Sequence, residues 1–225
     1  MENEFGKKMK GGKTDTELYV QIALISVLVL IMVFNIGRIY SAGGSVIGGV
    51  VSGGIALVSA SEIIPQGVPA IYGSEMGISY NDISPENPKL ADETISKISK
   101  YENMELTAGE MERYILIAGS ISCEYCCGAP SIIFENGERA CGCAHSYAMR
   151  GLAKYLLRNH PDMSDGEILS ELGKWKVLFF PGIHEAKAQV LESKGIDSKD
   201  YINLASNKYR GIEKGQGSGQ MVGGC

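Results

Sequence analysis

The 225-residue sequence predicts a mainly α-helical protein with one small β-hairpin, preceded by a single transmembrane helix. Three observations predict it. An uncharged apolar run occupies residues 18–36, helix-start signatures recur through the second half, and a Cys/His cluster brackets one Asn-Gly turn. The expected organisation is a cytoplasmic N-terminus (1–17), a membrane anchor (18–40), a Gly/Pro-rich linker (41–87), an α-rich Cys/His domain (88–210) and a flexible tail ending in cysteine (211–225).

The run LYVQIALISVLVLIMVFNI has Gln21, Ser26 and Asn35 as its clear polar interruptions. At about 1.5 Å per residue it would extend roughly 28 Å, enough for a bilayer's hydrocarbon layer. Its length favours a retained anchor over a cleaved signal peptide, and the polar Lys13-Thr14-Asp15-Thr16 between Gly12 and Glu17 disfavours a pilin-like leader. Lys7, Lys8, Lys10 and Lys13 precede it, and Arg38 follows it. By the positive-inside rule the N-terminus is cytoplasmic and the C-terminal domain lies outside the cell membrane, with the lipid bilayer as partner. The stretch AGGSVIGGVVSGGIALVSA (42–60) is read as a flexible linker, with a second span as the alternative.

Pro88 opens a helix to about Tyr101. Thr107 with Glu110 forms a capping box before a helix toward Ala118. Ile132-Ile133-Phe134, Asn136-Gly137 and a return to Cys141 predict the hairpin. Ala148, Met149, Leu152, Tyr155 and Leu156 follow helical spacing between about His145 and Asn159. Ser164 with Glu167 is a second capping box, starting a helix that runs through Trp175 and stops at Pro181. Another helix spans roughly His184 to Ser193.

The net charge is −5, and no Lys/Arg-rich block occurs beyond the first thirteen residues. A nucleic-acid partner is therefore not expected, because such affinity comes largely from neutralised phosphates. No phosphate loop, Ser-His-Asp set or paired-carboxylate pattern appears, so nothing argues for an enzyme. His160 is read as a helix C-cap, His184 as a solvated residue, and Trp175, Phe179 and Phe180 as core.

The chemistry concentrates in SCEYCCGAPSIIFENGERACGCAH, where Cys123, Cys126, Cys127, Cys141, Cys143 and His145 supply six potential ligands. Two short knuckles around one turn bring soft donors to a single point, and the second knuckle opens a helix whose N-terminus favours thiolate. Zinc is the first choice of metal, with Cu(I) or an iron–sulfur cluster as alternatives. Cys225, on a glycine-rich tether, is a further candidate ligand. Two rival readings stay open: a Cu(I)-handling or thiol-redox protein, and a disulfide-stapled module without metal.

Together with Trp175-Lys-Val-Leu-Phe-Phe-Pro181 and Met221-Val-Gly-Gly-Cys225, these cysteine motifs resemble a family of uncharacterised, membrane-anchored, cysteine-rich archaeal proteins. The resemblance implies location and architecture and no activity.

Overall fold

In the computed structural model, residues 19–29, 58–215, 219 and 221–224 are described. Two units divide the chain, Met1–Gly54 and Ile55–Cys225. The first contributes helix α1, residues 19–29. Eleven residues rise about 16 Å, roughly half of a bilayer's hydrocarbon layer. Among the described residues no helix is long and apolar enough to cross a membrane. The expected single-pass anchor, and the cell-membrane localisation with an outward domain that rested on it, are therefore corrected. Residue 18 and residues 30–57, on which the rest of that expectation fell, lie outside the described residues.

The second unit contains α2 (Ala60–Ile63), α3 (Gly73–Met76), α4 (Pro88–Ser99), α5 (Ala108–Gly119), α6 (Ala144–Asn159), α7 (Asp165–Phe179), α8 (Pro181–Ser193) and α9 (Tyr201–Ala205). Local chemistry sets the starts of the main helices. Asn87 accepts from the Leu90 amide ahead of Pro88. Thr107 accepts from the Glu110 amide while Glu110 reaches back to the Thr107 N–H at 2.7 Å. Ser164 and Glu167 repeat the arrangement at α7. Each box satisfies two of the orphan donors at a helix start.

Helix α6 is the hub and packs against α4, α5 and α7. Its Met149, Leu152, Ala153, Leu156 and Leu157 are all fully buried. Gly151 permits the closest approach, because a Cβ there would collide with the Ile98 carbonyl oxygen of α4. Trp175 and Phe179 enter the core from α7, as their spacing predicts. Residues 63–83 contribute Tyr72, Tyr80 and Ile83 to the same core. The Trp175 indole donates to the Tyr72 hydroxyl at 2.7 Å, which in turn donates to Glu171 at 2.8 Å.

The expected β-hairpin is a second correction. No strand occurs among the described residues; the Asn136-Gly137 turn is closed by one antiparallel bridge between Ile133 and Arg139. Phe134 donates to Glu138 O at 2.7 Å and Ala140 to Ile132 O at 3.3 Å, and there the ladder ends. Ile132 gives its own N–H to Ile121 O in the loop just after α5, and Cys141 turns toward Cys127. Tertiary partners take the backbone and side-chain groups that a longer ladder would need.

Candidate metal centre

The loop after α5 carries Cys123, Cys126 and Cys127. Cys126 and Cys127 both donate their amides to Cys123 O, at 3.4 and 3.3 Å, which folds the Cys-x-x-Cys-Cys segment into a tight turn. The opposing donors sit at the start of α6. Cys143 is the N-cap, its sulfur accepting from the Ser146 amide at 3.4 Å, and His145 lies in the first turn. The donor atoms of Cys123, Cys126, Cys143 and His145 all lie within 4.8 Å of one another, close enough to hold one metal ion. A second set, Cys127, Cys141 and Cys143, shares the Cys143 sulfur. Cys127 and Cys141 are joined as a disulfide, with Cα atoms 6.8 Å apart.

The thiols are strongly coupled. The Cys143 and Cys123 sulfurs are 3.3 Å apart. The Cys123 thiol proton and Ser146 stabilise a Cys143 thiolate and push its pKa down, against the effect of burial. Cys123 moves the opposite way, held up by that same hydrogen bond and by burial. One proton is thus shared by two sulfurs. The N-terminus of α6 adds its partial positive charge beside Cys143.

His145 is fully buried, 4.5 Å from the Phe179 ring and 5.1 Å from Phe180 between centroids. Its Nε2 lies 2.8 Å from Val222 O. Pairing with a carbonyl makes Nε2 the N–H nitrogen, so the lone pair belongs to Nδ1. The chain end supplies that carbonyl because it is docked: Val222 donates to Phe179 O at 2.9 Å and Gly224 to Asp92 at 2.8 Å. Gly223 makes the docking sterically possible. Its φ is +84°, and a Cβ would collide with Ile95 Cδ1. Sequence reasoning took residues 211–225 as a flexible tail and missed this contact; the Val-Gly-Gly signal for a close backbone approach was visible. Cys225 lies outside the described residues.

Between the cysteines, Glu124 and Tyr125 join a buried charged cluster contributed by α7, α8 and the segment after α9. The Glu124 carboxylate takes Lys176 Nζ at 3.1 Å and Arg210 Nε at 3.0 Å. Lys176 also donates to Ala205 O at 2.8 Å and lies 5.2 Å from the Tyr125 ring centroid. The Tyr125 hydroxyl donates to Glu213 at 3.0 Å. Burial pushes the Lys176 amine down to about 8, although Glu124 pulls the other way. Lys187 is buried in the same region, and its amine too is pushed down by burial.

His184, read from sequence as solvated, is fully buried. Its Nδ1–H donates to Phe180 O at 2.9 Å, and burial with Lys176 nearby drives its pKa well down, so the ring is neutral. The loop that carries Cys123, Cys126 and Cys127 is anchored from behind by the Glu124 carboxylate, clamped between Lys176 and Arg210.

Of the six donors singled out in the sequence, the structure brings four into one set and pairs two as a disulfide whose Cys141 sulfur lies 3.5 Å from Cys143. No protein-family model, curated protein or solved structure matches the chain.

Proposed function

We propose that Cys123, Cys126, Cys143 and His145 form a zinc site that locks the loop after α5 to the start of α6, in a structural and binding role. The observation that carries this reading is the mutual 4.8 Å limit on four donor atoms drawn from two chain segments. Tetrahedral zinc with Zn–S distances of about 2.3 Å sets its sulfurs about 3.8 Å apart. Cys123 and Cys143, at 3.3 Å, need shift only by a fraction of an ångström. The disulfide removes two of the five clustered thiols and leaves three sulfurs with one imidazole. That donor set suits zinc better than Cu(I) or an iron–sulfur cluster, which favour sulfur throughout. The Val222 carbonyl, by fixing the His145 tautomer, aims the Nδ1 lone pair as an outer-shell partner does in known zinc sites.

The test is elemental analysis, intact mass and thiol alkylation of the full chain purified without added metal. One zinc per chain is expected, with the mass short by one disulfide's hydrogens and three cysteines alkylated only after chelation. A chain without metal whose cysteines are all oxidised would retire the proposal.

A second reading rests on the 3.5 Å between the Cys143 and Cys141 sulfurs. Here the Cys143 thiolate attacks Cys141 Sγ. A Cys141–Cys143 bond forms, the Cys141–Cys127 bond breaks, and the electron pair departs on Cys127 Sγ, which takes a proton from solvent. No external oxidant or reductant is needed. Alkylation mapping of the metal-stripped chain distinguishes the two: exchange labels Cys127, whereas a purely metal-holding site leaves it protected.

A further inference from the structure

A cavity of about 750 Å³ opens between the turn that follows α4, the first half of α5 and the Gly137–Arg139 turn, and no cysteine borders it. One wall is cationic. Arg150 is 1% exposed; its Nε lies 2.5 Å from Glu102 Oε1, and its Nη1 donates to Ile132 O and Cys141 O. Its buried Nη2 has no hydrogen-bond partner among the described residues. Arg139 Nε lies 2.9 Å from the same Glu102 oxygen. Lys154 donates to the Glu102 carbonyl at 2.8 Å.

Three cations thus face one buried carboxylate. Glu105 and Glu138 also border the cavity and, like Arg139, are exposed, where water screens them; Arg150 and the half-buried Lys154 sit deeper, against Glu102. Burial pushes the pKa of the Lys154 amine down, Glu102 opposes it, and the two guanidiniums push the same way as burial. The facing wall is apolar and is built from Met104, Leu106 and Met111.

The geometry points to a binding site for a small amphiphilic anion, a phosphate monoester or carboxylate on a short apolar body. Its head group pairs with Arg139 and Lys154 beside the orphaned Arg150 Nη2, and its tail lies on Met104, Leu106 and Met111. A guanidinium with one arm held by Glu102 and another left without an acceptor suits a planar or tetrahedral oxyanion. The less screened Arg150 and Lys154, set against the single buried Glu102, supply the attraction, and the apolar wall selects against bare inorganic anions. No cysteine lines the cavity, although Arg150 also holds the Cys141 carbonyl from behind.

The test is isothermal titration of the full chain, at matched ionic strength, with hexyl phosphate, hexanoate, inorganic phosphate and hexanol. Hexyl phosphate is expected to saturate a single site, inorganic phosphate to bind more weakly, and hexanol not at all. Added NaCl should weaken the binding. Arg139→Gln and Lys154→Met, both chosen to spare the buried Arg150, should each weaken hexyl phosphate about tenfold while the helical circular dichroism stays unchanged. The proposal is overturned if no acidic probe saturates, if hexanol binds as well as hexyl phosphate, or if both variants keep the parent affinity. The last outcomes would leave the Arg150 nitrogen as the partner of an internal water.

Discussion

Replacing Glu124 by Gln keeps the shape of the side chain and removes the charge that the buried cluster is built around. Lys176 is fully buried and then loses its carboxylate partner at 3.1 Å, keeping Ala205 O at 2.8 Å and the Tyr125 ring at 5.2 Å. Arg210, whose side chain is 30% exposed, can turn to water, so its share is small. Breaking a buried pair can cost about 3–5 kcal/mol, but Lys176, already near 8, can shed its proton, so the loss at pH 7 is about 1–3 kcal/mol. At about 2–4 °C per kcal/mol for a unit of this size, the melting temperature should fall by about 2–12 °C. Urea unfolding followed by circular dichroism gives the free energy directly. A double-mutant cycle with Lys176→Met separates the pair from the surroundings. The double variant should be less destabilised than the sum of the singles by about 1 kcal/mol or more, since it buries neither charge alone. The same variant should speed alkylation of Cys123 and Cys126, because the loop between them has lost its anchor. A Glu124→Gln cost below about 1 kcal/mol, or singles that simply add, would refute the clamp.

Two further outcomes follow from the same geometry. Lys176 is held near 8 in the folded chain against an ordinary 10.5, so between those values the unfolded chain holds more protons than the folded one. Unfolding free energy should therefore rise from pH 7.5 to 9.5, by up to about 1.4 kcal/mol per unit, and Lys176→Met should flatten the rise; a wild-type curve that falls over this range contradicts the assignment. Gly223→Ala should displace the Val222 carbonyl from His145 and lower zinc affinity by about 10–100-fold in a chelator competition, with the α-helical signal retained. An affinity equal to wild type would mean that the chain end does not orient the imidazole.

Sequence by itself determined what depends on neighbours a few residues apart. Thr107 with Glu110 and Ser164 with Glu167 meet across a single helical turn, so their pattern carries the helix starts without help from the rest of the molecule. The density of cysteine around Asn136-Gly137 likewise marked the place where soft donors gather. Local signals were also over-read there. The Asn-Gly turn formed, but the hairpin shrank to one bridge once Ile121 and Cys127 claimed its arms. An apolar run suggested a membrane span, whereas the described helix within it is eleven residues long.

Only tertiary structure decided which sulfurs share a centre. The Cys123-x-x-Cys126 spacing marks a knuckle, but nothing in the spacing chooses between Cys141 and Cys143 as its partner, and it is the packed structure that bonds Cys141 to Cys127 and leaves Cys143 in the four-donor set. The same holds for His145 and Val222, 77 residues apart, and for Glu124 and Lys176, 52 apart. His184 carries no local mark of burial; the packing of α7 and α8 around the Tyr125 ring imposed it. Capping and turn formation are short-range hydrogen-bond choices, written residue by residue. Coordination geometry and buried charge pairing depend on how distant helices approach, and that is a property of the packed core.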